Sequence, residues 1–149
     1  MNPVQARKTF TTLMTVCGAL QQAVKDKLKE ETMEGLGPLQ LKLLALCMEQ
    51  DGSTQQQLAN QVGRDKGQVA HLLHALESMG LLIRTPDVAD KRVLRLSATL
   101  EGSRLAQQFN ALETRLALAL FSEFGEQDLQ AMAAFADKML RRLTAGASE

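Results

Sequence analysis

The sequence predicts a mainly α-helical chain with one small β-hairpin, and three observations carry that expectation. Apolar residues recur at three- and four-residue steps along six segments separated by glycine or proline. Only a few residues around Gly63 join the third segment to the fourth. Two short runs, 82–85 and 93–97, flank a polar, turn-forming loop, 86–92, immediately after the fourth segment.

Each element has its own local logic. Asn2 and Pro3 suit an N-cap and first helical position, and Phe10, Leu13, Val16, Cys17, Leu20, Val24 and Leu28 then mark one long amphipathic helix. Gly35 and Gly37 interrupt the pattern. Pro38 is placed to open a second helix whose apolar positions are Leu39, Leu43, Leu44, Leu46 and Cys47, closed by Asp51 and Gly52. Ser53 with Gln56 three residues on reads as a capping box for a short third helix with Leu58, Ala59 and Val62 inward. A fourth helix follows over 65–79, and Gly80 is suited to the left-handed position that ends it, backed by Leu81. Two helices joined by so tight a turn form a helix-turn-helix, and a hairpin directly after them is a wing. Thr99 is placed to cap a fifth helix bearing Leu105, Phe109, Leu112, Leu116 and Leu120. After Gly125 a sixth carries Leu129, Met132, Phe135, Met139 and Leu143, and the tail 145–149 is expected to fray.

The chain of 149 residues fits a single domain. Residues 38–99 are expected to form the helix-turn-helix and wing, with residues 1–34 and 100–144 as flanking helices. Those outer helices hold more apolar surface than the small central unit can cover, so they are expected to pair with a second copy of the chain. The two cysteines, Cys17 and Cys47, are too few for a disulfide scaffold and are expected as buried thiols. No apolar run approaches the roughly 18 residues of a membrane span and no signal peptide is apparent, so a cytoplasmic protein without a membrane partner is expected.

Formal charge is zero, with 17 basic and 17 acidic residues, so any nucleic-acid partner must be met by a local patch. Residues 54–99 hold six Lys/Arg against four Asp/Glu, and both histidines lie there. On the fourth helix, steps of about 100° put Val69, Leu72, Leu73 and Leu76 on one side, the side that packs on a core. The opposite side carries Gly67, His71, His74 and Ser78, with Arg64 at the entrance and Lys66 and Gln68 on the flank. That row suits a major groove. Gln68 can pair with adenine edges, Arg64 and Lys66 can meet phosphate or guanine, and Gly67 lets the backbone approach closely. At the wing, Asp90, Lys91 and Arg92 place a cation on a hairpin tip, where Arg92 can enter a narrow minor groove while Asp90 holds it extended. Taken alone, either feature is an ordinary solvated surface; together, around a tight turn, they point to double-stranded DNA.

Residues 56–84 (QQLANQVGRDKGQVAHLLHALESMGLLIR), the Asp90-Lys91-Arg92 wing and the Thr99-Leu100-Glu101-Gly102 helix start resemble the MarR family of winged-helix bacterial transcription regulators. The most specific part is Leu76 to Leu81 followed by Arg84 and the Asp-x-Arg wing. The resemblance implies a homodimer that binds pseudo-palindromic DNA, usually as a repressor released by a small molecule or by oxidation. It makes Arg92 the wing arginine, Asp90 its partner, and Lys66, Gln68 and His71 the groove readers, with His71 standing where relatives commonly carry arginine.

The family default for a trigger is a small apolar or aromatic acid bound between the first, second and fifth helices. Cys17 and Cys47 are the candidates for a thiol-based alternative, but an apolar stripe around Cys17 slows oxidation and the chain has no tyrosine to support a reactive sulfur. His71 and His74 lie three apart without a nearby cysteine, so no metal and no cofactor are expected. With no nucleophile paired to a base and no phosphate-cradling glycine loop, the chain is not expected to be an enzyme. A winged helix that has lost DNA binding and holds protein partners instead is the remaining alternative.

Overall fold

The computed structural model describes residues 1–31, 33 and 35–146. The elements run α1 (Pro3–Glu30), α2 (Pro38–Glu49), α3 (Gln55–Val62), α4 (Lys66–Ser78), β1 (Leu82–Pro86), β2 (Leu94–Ala98), α5 (Leu100–Leu120) and α6 (Glu126–Gly146). The mainly helical architecture with one hairpin is the expected one. Its sixth helix continues through position 145, where fraying was expected, and 147–149 lie outside the described residues.

The core lies where α2, α3, α4, the hairpin and the first half of α5 meet. Leu41, Leu43, Leu44 and Cys47 from α2, Leu58 from α3, Val69, Leu73 and Leu76 from α4, and Phe109 and Leu112 from α5 are all buried. Removing a leucine-sized side chain from water contributes about 1.5–3 kcal/mol, so this cluster is the main term holding the central unit together. By contrast α1 buries only Leu28, and Phe10, Met14 and Val16 stay exposed. No side chain described on α6 is buried, and Phe135, Leu140 and Leu143 face solvent.

Local chemistry sets the helix ends. The Asn2 side chain accepts the Val4 N–H at 3.0 Å, with Pro3 behind it. At α3 the cap is one residue later than expected: Thr54 accepts the Gln57 N–H at 3.2 Å, and the Gln57 side chain accepts the Thr54 N–H at 2.9 Å. Ser53 is unavailable as a cap because its backbone forms a β-bridge with Leu96, and its hydroxyl donates to the Gln50 carbonyl at 2.7 Å. The link before α3 is thereby stitched to β2.

β1 and β2 pair antiparallel, with Leu82 opposite Ala98 and Arg84 opposite Leu96. Leu82 and Leu96 are buried and Ile83, next to Leu82, is exposed, as in a strand pair covered on one face, while Leu94, on the same face as Leu96 but at the wing end, is exposed. Of the two strands, each runs one residue further at its C-terminal end than the apolar pattern marked.

Candidate nucleic-acid interface

Three residues separate α3 from α4. Gly63 takes φ 61°, a left-handed conformation that favours glycine, and reverses the chain at the end of α3. Asp65 then caps α4, its carboxylate accepting the Gln68 N–H at 3.1 Å. At the other end the Leu81 N–H donates to the Leu76 carbonyl at 3.0 Å and the Gly80 N–H to Glu77 at 3.0 Å, with Gly80 at φ 73° and Leu81 buried. This is the glycine-terminated motif the sequence indicates.

With both ends fixed, the rotation of α4 is set by its buried side. Val69, Leu73 and Leu76 are inward, Leu72 is partly covered, and Lys66, Gly67, Gln68, His71, His74 and Ser78 are exposed. Arg64 is exposed just before the helix. The side chains of Arg64, Lys66, Gln68 and His71 make no hydrogen bond or ion pair among the described residues, so their polar groups are free to meet a partner.

The wing is built by two aspartates. Asp87 accepts the backbone N–H groups of Ala89 and Asp90 at 3.2 and 3.1 Å, which folds the loop back on itself. Its other oxygen accepts Arg95 Nε at 3.0 Å, and Arg95 Nη1 donates to the Gly52 carbonyl at 3.3 Å. Backbone donation from Asp90 first, and then Arg95, hold the Asp87 carboxyl below the usual carboxylate range. Asp90 accepts both the N–H and Nε of Arg92 at 3.1 Å, and its second oxygen accepts Nη2 at 3.2 Å. The Arg92 side chain is nevertheless 91% exposed, so Asp90 orients the guanidinium without covering it. Arg92's hydrogen bonds lower the Asp90 pKa. Lys91 is exposed beside it.

Sequence reasoning named Arg84 as part of a motif without a role and passed over Glu77 and Arg95. Glu77 Oε2 accepts Arg84 Nε at 2.8 Å, and Arg84 Nη1 reaches Gln55 Oε1 at 3.3 Å, so α4, β1 and α3 are tied together beneath the hairpin. The only local signal for these residues was an arginine directly after the apolar run Leu81-Leu82-Ile83.

A cleft of about 490 Å³ opens between α1, α2 and α5, lined by Val24, Lys25, Leu39, Lys42 and Phe109 among others. Arg64 and Gln68 also line it, so two residues expected to meet DNA border the cleft as well. Lys42 and Glu113 bridge it at 3.6 Å. The cysteines divide. Cys47 is fully buried, which pushes its thiol up to about 12, far from the range of a reactive thiolate. Cys17 is exposed rather than buried, because α1 meets the core only near its C-terminal end, at Leu28. Among the described residues no three His, Cys, Asp or Glu side chains lie close enough to share a metal ion, and no helix is long and apolar enough to cross a membrane.

A short capped helix pair with an exposed polar face, followed by a hairpin bearing an oriented arginine, defines a winged helix-turn-helix protein. The model of the MarR family matches residues 36–94. That segment is a MarR-family domain, and over the rest of its length the chain shares the fold of solved regulators of this kind. CouR from Rhodococcus jostii, solved bound to p-coumaroyl-CoA, is 29% identical with a TM-score of 0.77, covering 86% of this chain and 88% of its own. MepR from S. aureus, solved with DNA, is 25% identical with a TM-score of 0.77, covering 89% and 94%. The transcriptional regulator BldR from Sulfolobus solfataricus, at 17% identity and a TM-score of 0.80, covers 95% and 99% and shows the shared fold. No curated protein matches the sequence significantly. MarR-family proteins are transcriptional regulators and not enzymes, in agreement with the sequence reading.

Proposed function

We propose that the chain is a homodimeric, sequence-specific DNA-binding transcriptional regulator, a repressor released by a small apolar or aromatic ligand. The observation that carries the reading is the exposed face of α4, where Arg64, Lys66, Gln68 and His71 present unpaired polar groups from a helix locked at both ends. In this reading 38–99 is the DNA-binding region. Gln68 and His71 read base edges, His74, Arg64 and Lys66 contact the duplex alongside them, Gly67 allows close approach, and Arg92 enters the minor groove with Asp90 and Lys91 beside it. The segments 1–34 and 100–144 form the dimer, supported by the uncovered Phe10, Leu13 and Val16 on α1 and Phe135, Met139 and Leu143 on α6. A two-fold dimer then requires a pseudo-palindromic operator. The cleft between α1, α2 and α5 is the place for the effector.

The test is binding to the DNA upstream of the chain's own reading frame while salt is raised. Affinity falls steeply as counterions are released, and sedimentation shows two chains. Absence of a specific complex at low salt overturns the DNA reading, and a monomer at micromolar concentration overturns the dimer.

A further inference from the structure

Both histidines of the chain lie on α4, and they differ in one respect. His71 has no side-chain partner among the described residues. His74 Nδ1 stands 3.4 Å from Glu77 Oε2, while its ring remains 79% exposed. The same Glu77 oxygen accepts Arg84 Nε, and Arg84 is itself fixed to Gln55, so the carboxylate beside His74 is anchored. Arg84, chiefly through that hydrogen bond, also lowers the Glu77 pKa and keeps the group ionised across the range in which imidazole titrates.

An anchored carboxylate next to Nδ1 holds the ring proton on that nitrogen when the imidazole is neutral. The free nitrogen, Nε2, is then an acceptor, and an acceptor repels a phosphate oxygen. Only the imidazolium presents an N–H at Nε2. His71, without such a partner, can turn either nitrogen outward and donate while neutral. We propose that His74 is a proton-gated phosphate contact: DNA binding at α4 loads a proton onto His74, Glu77 is its positioning residue, and affinity rises as pH falls through the imidazole range. The proposal rests on the reading of α4 as the DNA-facing helix.

The surrounding charges leave this assignment with His74. On α4 itself the neighbours are Glu77 and His71, and β1 contributes Arg84. α3 has no ionisable side chain. The charged groups of α2, Lys42 and Glu49, are engaged toward α5 by Glu113 and Asn110. The sign is fixed by linkage: the complex holds the proton more tightly than the free protein, so binding is strongest below the imidazole pKa and weakens above it.

The experiment is fluorescence anisotropy at constant ionic strength with a labelled duplex of the upstream DNA, compared across about pH 8, 7 and 6. The wild-type chain tightens by about three- to tenfold over that range. His74→Gln, at an exposed position, is flat with pH, and His71→Gln is weaker throughout but keeps the wild-type slope. Glu77→Gln, which frees the ring to place its proton on either nitrogen, has a shallower profile than wild type. Tight but pH-independent binding by the wild-type chain overturns the proton gate and leaves the DNA reading standing. A His74→Gln variant with an unchanged slope overturns it too, and no complex at any pH overturns both.

Discussion

A side chain at Gly102 would place its first carbon 2.1 Å from the carbonyl oxygen of Leu81. That oxygen already accepts the Thr99 N–H at 3.0 Å, and the Thr99 hydroxyl donates to the Gly80 carbonyl at 2.8 Å while accepting the Gly102 N–H at 3.1 Å. The start of α5 is thereby laid directly on the chain leaving α4. The obstacle is backbone on both sides, so neither can swing away. Gly102→Ala is expected to lower stability by more than about 2 kcal/mol, read as a drop in urea midpoint at unchanged slope. A variant as stable as wild type would show that the two segments separate readily.

Arg92→Ala removes the only guanidinium held at the wing loop's tip while leaving the Asp87–Arg95 frame in place. DNA affinity is expected to fall by about 1–3 kcal/mol with no change in melting temperature. Asp90→Asn, which keeps the loop but loosens the guanidinium, is expected to cost less. Equal affinity for wild type and Arg92→Ala in a titration would remove the wing from binding.

Three carboxylates respond to acid in the same direction. Arg84 holds Glu77 low, backbone donation from Asp90 and then Arg95 hold Asp87 low, and Arg92 holds Asp90 low. A group depressed in the folded state contributes stability that is present above its unfolded pKa and lost as pH falls through the folded one. Urea midpoints are therefore expected to be flat near neutrality and to decline below about pH 5. Glu77→Gln should be less stable at neutral pH and lose part of that decline. An unchanged acid profile in this variant would mean the Arg84 pair contributes nothing net, as exposed pairs sometimes do.

Cys47 is expected to resist thiol reagents. With its pKa at about 12 from burial, only roughly one thiol in ten thousand is ionised near pH 8. In a Cys17→Ser background, a colorimetric disulfide reagent should label nothing in native buffer and one thiol per chain in denaturant. Prompt labelling of the native protein would indicate an opening of α2.

What was legible in the sequence was whatever is decided within a few residues. Asn2, Gly63, Gly80 and Thr99 each act on backbone groups close by, and all four do what their types suggest. The face of α4 was legible for the same reason, since helical spacing alone separates Val69 and Leu73 from His71 and His74. Ser53 was misassigned because its partner, Leu96, lies more than forty positions away, and no local pattern announces a bridge of that kind. The pairs Glu77–Arg84 and Asp87–Arg95 depend on where the hairpin folds back. Cys17 read as buried because an apolar stripe looks the same whether it meets its own chain or another surface.

Arg64 and Gln68 stand between the cleft and the exposed face of α4. If a ligand fills the cleft as proposed, a side chain drawn toward it is withdrawn from DNA, and the two occupancies would compete for the same few atoms rather than communicate through a long relay. Competition of this sort is reciprocal: the factor by which a cleft ligand weakens DNA is the factor by which DNA weakens the ligand. The duplex itself would then act as the antagonist of the molecule that dislodges it, and the dose needed for release would rise with the quality of the operator.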